Sequence, residues 1–432
     1  MKDLHDLSLK ARNSFYQLSS SPAEQRNRSL ACLCDVLRKN ADRIFDANRE
    51  DYALAEKSGL AAPLLGRLRF GPEKLKQVCD GLHALAQLPD PIGETTLSTE
   101  ITEGLTLYRV VCPIGVIGVI FESRPDALIQ IASLCVKSGN SVLLKGGSEA
   151  LRTNQILCAC VREALWLTDL PEDSVQLLET REDVASMLKE DRLIDLIIPR
   201  GSNAFVRYIM DNSRIPVLGH ADGVCHVYID ASADPRTAVK VTVDSKTQNL
   251  SVCNAAETLL VHRDAVDSCL RPVIDALREK GVRILGDPEV VRLAGCDAAD
   301  ESDWSKEYLD AVISVRIVPS LDEAISHINR YGSHHTDCII TEDADAASRF
   351  MNIVDSAGVY WNASTRFADG FVYGFGAEVG ISTGKIHARG PMGLDGLTTC
   401  KFKLIGKGHT IAEMKDGTRK YTHRSLNGAC PF

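Results

Sequence analysis

From Val110 onward, short apolar runs alternate with amphipathic stretches, and this alternation limits what the chain can fold into. Val116-Ile-Gly-Val-Ile-Phe121 is apolar throughout, with no polar face. A strand of that kind is buried on both sides, as happens in a parallel sheet covered by helices. Asp126 to Lys137 has helical spacing, Ser141-Val-Leu-Leu-Lys145 reads as a second strand, and Ala150 to Leu165 as a second helix. Val175-Gln-Leu-Leu178 and Leu193 to Ile198 continue the series. Such repeats imply an α/β fold whose ligands lie beyond the carboxyl ends of the strands.

A second alternating region begins at Val224-Cys-His-Val-Tyr-Ile229 and runs through the segment after Cys253, Val312 to Val318, a helix at Leu321–Asn329, Cys338-Ile-Ile340 and Gly358 to Asn362. It predicts a second α/β domain. Residues 3–90 have helical periodicity. Thr95 to Val111, rich in Thr and Val and broken by Glu103-Gly104, predicts a β-hairpin, and Thr398 to Ile405 another strand. Residues 363–395 are rich in Gly, Arg and His and lack periodicity, and a long irregular stretch of this kind is usually functional. The segment after Gly408 is polar and weakly patterned.

A net charge of −9 over 432 residues argues against nucleic acid or an anionic membrane as partner. An anionic small molecule would need local donors instead. The 14 cysteines include no CxxC pair and no Cys/His cluster at zinc spacing, so no metal is expected. Met1-Lys-Asp-Leu-His5 lacks an apolar signal core, and no apolar run reaches 18 residues. The expectation is a cytoplasmic protein with free thiols.

Three segments carry chemistry. Lys145-Gly-Gly-Ser-Glu149 follows a strand and precedes a helix; its glycines admit a ligand close to the backbone, and a helix N-terminus favours an anion. Pro199-Arg-Gly-Ser-Asn203 has the same placement, with Ser202 a good helix cap. Either is also what a plain strand-to-helix turn looks like. The third, Ser251-Val-Cys-Asn-Ala-Ala-Glu-Thr258, puts Cys253 at the mouth of an apolar run. Free cysteine is most often a small buried hydrophobe, and composition does not separate Cys253 from Cys112, Cys135 or Cys225.

The neighbourhood does. Val318-x5-Ala324-Ile-x-His327-Ile-x2-Tyr331-Gly-Ser-x-His335-Thr-Asp-x-Ile339, Asn362-Ala-Ser-Thr-Arg366-Phe-Ala-Asp-Gly370, Lys385-Ile-His-Ala-Arg-Gly-Pro-Met-Gly-Leu394 and Cys253-Asn-Ala-Ala-Glu-Thr258 together resemble the γ-glutamyl phosphate reductases of the aldehyde dehydrogenase superfamily over residues 5–410. The resemblance implies two Rossmann-like α/β domains plus a small β-arm for oligomerisation. Residues 1–94 and 113–223, with 380–397 returning, would bind NADPH; 224–379 would be catalytic; 95–112 and 398–412 would form the arm, the hairpin pairing with the 398–406 strand across a subunit interface; 413–432 would be a tail. It further implies NADPH-dependent reduction of L-glutamyl 5-phosphate to glutamate 5-semialdehyde, a step of proline biosynthesis, by a homo-oligomer (dimer or tetramer) that has glutamate 5-kinase as a candidate partner.

Site residues follow from the matched segments. Cys253 would be the nucleophile, and the Cys253 or Asn254 N–H, aided by the Asn254 side chain, would hold the oxyanion. Lys145, Gly147, Ser148, Gly201 and Ser202 would bind the cofactor. Arg124, His335 and Arg366 would bind substrate: guanidinium groups clamp phosphate or carboxylate with two hydrogen bonds, and His335 could donate to the leaving phosphate. His327 is expected to be structural. Where hydrolytic relatives carry a general-base Glu, this chain has Val217-Leu-Gly-His-Ala-Asp-Gly223, so a thioester at Cys253 would be spared from water. Ser148 stands where NAD-preferring relatives often place Glu, leaving room beside Lys145 for a 2′-phosphate. The rivals are a CoA-acylating or aldehyde-oxidising enzyme, and a non-catalytic protein that keeps the fold.

Overall fold

The structure is a computed structural model that describes residues 4–180, 182–219, 222–375 and 377–432. Five helices between Leu4 and Gln87 precede a hairpin, β1 (Thr95–Thr102) and β2 (Leu105–Pro113). The turn between them is made at Gly104, whose φ of +81° lies in the left-handed region that glycine enters without steric cost.

The first parallel sheet has β3 (Val116–Ile120), β4 (Ser141–Lys145), β5 (Val175–Leu178) and β6 (Leu196–Pro199) in the order β5-β4-β3-β6. Every residue of β3 and β4 is buried, which accounts for their unbroken apolar runs. The strand expected from Leu193 starts later, because Asp195 is drawn off to accept a 2.7 Å hydrogen bond from the Val116 N–H. Helix Pro125–Lys137 opens on a proline, whose fixed φ suits the first helical turn. Leu30, Leu37, Leu82, Leu128, Leu134 and Leu157 pack into one core over this sheet. Val379, Met392, Leu394 and Leu397, from the far end of the chain, join that core.

The second sheet is larger. It contains β7 (Cys225–Ile229), β8 (Ala256–His262), β9 (Arg283–Gly286), β10 (Asp297–Ala298), β11 (Val312–Val318), β12 (Thr336–Ile340) and β13 (Gly358–Trp361), ordered β10-β9-β11-β8-β7-β12-β13. All of its pairings are parallel. A short antiparallel pair follows, β14 (Gly380–Ser382) with β15 (Gly390–Met392).

Two expectations about the chain's end are corrected. β16 (Thr398–Ile405) pairs antiparallel with β2 of its own chain from Thr398↔Pro113 to Ile405↔Thr106, so the partner expected from another subunit is already supplied within the chain. The tail also holds structure: a capping box at Thr410 starts helix Ile411–Lys415, and β17 (Arg424–Ser425) adds to β1, giving the arm the order β16-β2-β1-β17. Among the described residues no helix is long and apolar enough to cross a membrane.

Candidate active site

The site forms where the amino ends of three neighbouring strands meet. Cys253 lies three residues before β8, Cys225 begins β7, and His335 immediately precedes β12. The order β8-β7-β12 therefore gathers residues far apart in sequence onto one edge. The first sheet contributes its carboxyl ends, as expected for an α/β sheet; the second contributes the opposite edge.

Cys253 is half-buried. Its Sγ is 3.2 Å from Nε2 of His335, a distance at which imidazole can take the thiol proton. His335 is 1 % exposed, with its Nδ1 2.9 Å from the Thr336 hydroxyl and 3.7 Å from Cys225 Sγ. The side chain expected to donate to the leaving phosphate thus stands beside the thiol. The other buried cysteines are poor nucleophiles. Burial pushes Cys34 and Cys338 up to about 12 and Cys160 up to about 11, and it drives Cys225 well above the ordinary thiol value.

The nucleophile loop is fixed from two sides. Thr365 donates its hydroxyl to the Asn254 carbonyl at 2.7 Å, and the Asn254 amide donates to the Ala368 carbonyl at 2.9 Å. One N–H of the Asn254 side chain thereby holds loop 365–368 against the nucleophile loop. Among the described residues, the backbone N–H groups of Cys253 and Asn254 make no hydrogen bond. On the other side is Gly223, where a Cβ would stand 2.2 Å from the Cys253 carbonyl oxygen, so only glycine admits this approach. His220 and Ala221, within the stretch that lacks a Glu, lie outside the described residues.

The expected cofactor residues line the carboxyl ends of β4 and β6. Lys145 ends β4, buried, with Nζ 2.5 Å from the Gly146 carbonyl. Ser148 is exposed and starts the 3₁₀ turn Ser148–Ala150. Glu149 lies against Gly147 and accepts 2.7 Å hydrogen bonds from the Ser123 N–H and hydroxyl. Ser202 occupies the cap position of helix Asn203–Asn212, but its side chain makes no capping bond, contrary to expectation. Gly201 and Ser202 are exposed, so the first turn of this helix offers N–H groups to an anion at the sheet edge. An open helix start beside a glycine after β6, with a lysine at the end of β4 on the far side of β3, suits a dinucleotide.

The cations are arranged less simply. Arg124 is 3.0 Å from Asp126, and Arg366 donates to Gln248 at 2.9 Å. Arg200, which directly follows β6, was not among the expected residues. It lines a cavity of about 480 Å³ with Arg124, Gln130, Asp369, Phe371 and Glu378. Burial lowers its pKa, with Glu378 opposing that shift and Arg124 adding to it. The signal was present in Pro199-Arg200-Gly201, but a helix start accounted for that segment without the arginine.

A cysteine–histidine pair and a strand-to-helix anion cradle, carried by two parallel sheets, fit an aldehyde dehydrogenase, and the aldehyde dehydrogenase family model matches residues 2–291: the chain belongs to that family. Within it the chain groups with the gamma-glutamyl phosphate reductases. It is 54 % identical over 98 % of both chains to the gamma-glutamyl phosphate reductase of Pelotomaculum thermopropionicum, and 53 % identical to that of Acetivibrio thermocellus over 99 % of this chain and 100 % of the relative. The crystal structure of gamma-glutamyl phosphate reductase from Thermotoga maritima superposes with a TM-score of 0.93 at 38 % identity, covering 95 % of this chain and all of that one.

Proposed function

We propose that the chain reduces L-glutamyl 5-phosphate to L-glutamate 5-semialdehyde with NADPH, releasing phosphate, through a thioester on Cys253. The observation that carries this reading is the 3.2 Å contact between Cys253 Sγ and His335 Nε2, in a chain 54 % identical to an enzyme of that name. His335 takes the thiol proton, and the thiolate attacks the acyl carbon of the substrate. The bond from that carbon to the phosphoryl oxygen breaks, and the proton held by His335 leaves with the phosphate. The N–H groups of Cys253 and Asn254 stabilise the oxyanion formed on the way. NADPH, when bound, would supply a hydride to the thioester carbon, and cleavage of the carbon–sulfur bond would then give the aldehyde and return the thiolate. Lys145, Gly147, Ser148, Gly201 and Ser202 hold the nucleotide, and Ser148 leaves room for a 2′-phosphate. Arg124 and Arg366 hold the substrate's anionic groups.

The test is turnover with glutamate 5-semialdehyde and phosphate, NADP being compared with NAD, in the native chain and in Cys253→Ala. The native chain should turn over only with phosphate present and prefer NADP. Cys253→Ala should lose roughly 10³-fold or more in kcat while binding NADPH normally. Phosphate-independent turnover, or a variant that stays active, would refute the reading.

A further inference from the structure

Three cations surround the site, and they differ in what already neutralises them. Arg124 has Asp126 at 3.0 Å, a carboxylate that also has Lys74 at 3.7 Å. Arg366 has the Gln248 amide. Arg200 differs from both. Its side chain is 26 % exposed, and its nearest carboxylate oxygen, on Glu378, is 3.8 Å away, beyond hydrogen-bond length. Among the described residues its guanidinium donates no hydrogen bond. None of its nitrogens is fully buried without a partner, so its free donors are open to solvent, where an incoming anion can reach them. Its backbone N–H is fixed by a 2.7 Å bond to the Ile120 carbonyl, which anchors the residue at the junction of β3 and β6. It shares a cavity with Arg124, which Asp80, Asp369 and Glu378 also line, so an anion bound there takes the two guanidinium groups over from carboxylate neighbours.

We propose that Arg200 is the residue that grips the phosphoryl group of the acyl phosphate, with Arg124 on the same cavity as the second cation. The assignment rests on the acyl-phosphate reading given above. Asp369 of that cavity directly follows Ala368, whose carbonyl holds the Asn254 amide, so the cavity adjoins the nucleophile loop and a phosphoryl group held there lies on the side of the acyl carbon. Charge builds on the leaving oxygen as that bond breaks, and a bidentate guanidinium stabilises it where a lysine would do so only as a point charge. Glu378 keeps the guanidinium company at 3.8 Å in the meantime and yields it to a doubly charged phosphate.

The experiment uses Arg200→Met and Arg200→Lys in the full chain. Glutamate 5-semialdehyde, NADP and inorganic phosphate are varied one at a time, and thermal unfolding verifies that both variants fold. In Arg200→Met the KM for phosphate should rise about tenfold or more while the KM for NADP stays within about twofold, and Arg200→Lys should recover part of the loss. A phosphate KM that does not move, or that rises only in step with the other two, overturns the assignment. A native chain without phosphate-dependent turnover overturns the acyl-phosphate reading instead. In that case the anion site is decided by whether inorganic phosphate protects Cys253 from iodoacetamide. Protection in the native chain that is lost in Arg200→Met upholds it; equal protection in both, or none in either, rejects it.

Discussion

Cys253 and His335 are 82 residues apart in sequence and 3.2 Å apart in space. The pair comes together because β8 and β12 flank β7, so both residues reach the same edge of the sheet. His335→Gln should therefore slow iodoacetamide alkylation of Cys253 at neutral pH by roughly tenfold or more and cut kcat by about 10²-fold or more. Cys400, which is exposed and far along the chain, gives an internal control in the same peptide map. Equal alkylation of Cys253 in variant and native chains would remove His335 from the mechanism.

Gly223→Ala tests how tightly the nucleophile loop is seated. The new methyl would meet the Cys253 carbonyl oxygen at 2.2 Å and the Cys253 Cα at 2.6 Å, so the loop must move. A shift near 1 Å at a reacting atom costs about 10²-fold in rate, whereas the overpacking itself costs about 1–3 kcal/mol of stability. The expected result is a folded protein with a large loss of kcat, measured by steady-state assay beside thermal unfolding. Full activity in a folded variant would show that the loop tolerates displacement.

Beneath the loop, Lys246 and Glu257 form a 2.5 Å ion pair in which neither side chain is exposed. Burial raises the Glu257 carboxyl from 4.5 to about 7, and Lys246 opposes that shift. A raised folded-state value means that the stability contribution is fully present below pH about 4.5 and is lost as pH rises through about 7. Lys246→Met removes the opposing cation, so the variant should lose about 3–5 kcal/mol at pH 8 and less at pH 5, where the carboxyl can stay neutral. Urea unfolding at the two pH values measures this, and an equal loss at both would contradict it.

Ser148 is exposed at the start of its 3₁₀ turn, where a carboxylate would repel a 2′-phosphate. Ser148→Glu should lower kcat/KM for NADP by on the order of 10–100-fold and change that for NAD by less than about threefold. An unchanged NADP-to-NAD ratio would place the 2′-phosphate elsewhere.

Most strands of both sheets, though not the short β9 and β10, were legible because a strand buried on both faces leaves an uninterrupted apolar run, as in Val116–Ile120. Strand order was not, since the alternation gives the strands but not their neighbours. For that reason His335 could be picked out by resemblance for the leaving phosphate while its contact with the thiol stayed out of sight. The arm shows the same limit: Thr398–Ile405 reads as a strand, but nothing in its residues says whether the partner belongs to its own chain or another. Arg424–Ser425 left no pattern because a short, solvated edge strand buries nothing. Arg200 was overlooked because its interest comes from Arg124 and Glu378, which reach it from other parts of the chain.

Gly223 lies on the crossing from the first sheet to the second, only two residues before β7, and its α-carbon rests against the main chain of Cys253. A side chain at 223 would have to push the sulfur's own main chain aside, so the link between the two sheets and the aim of the thiol depend on one and the same contact.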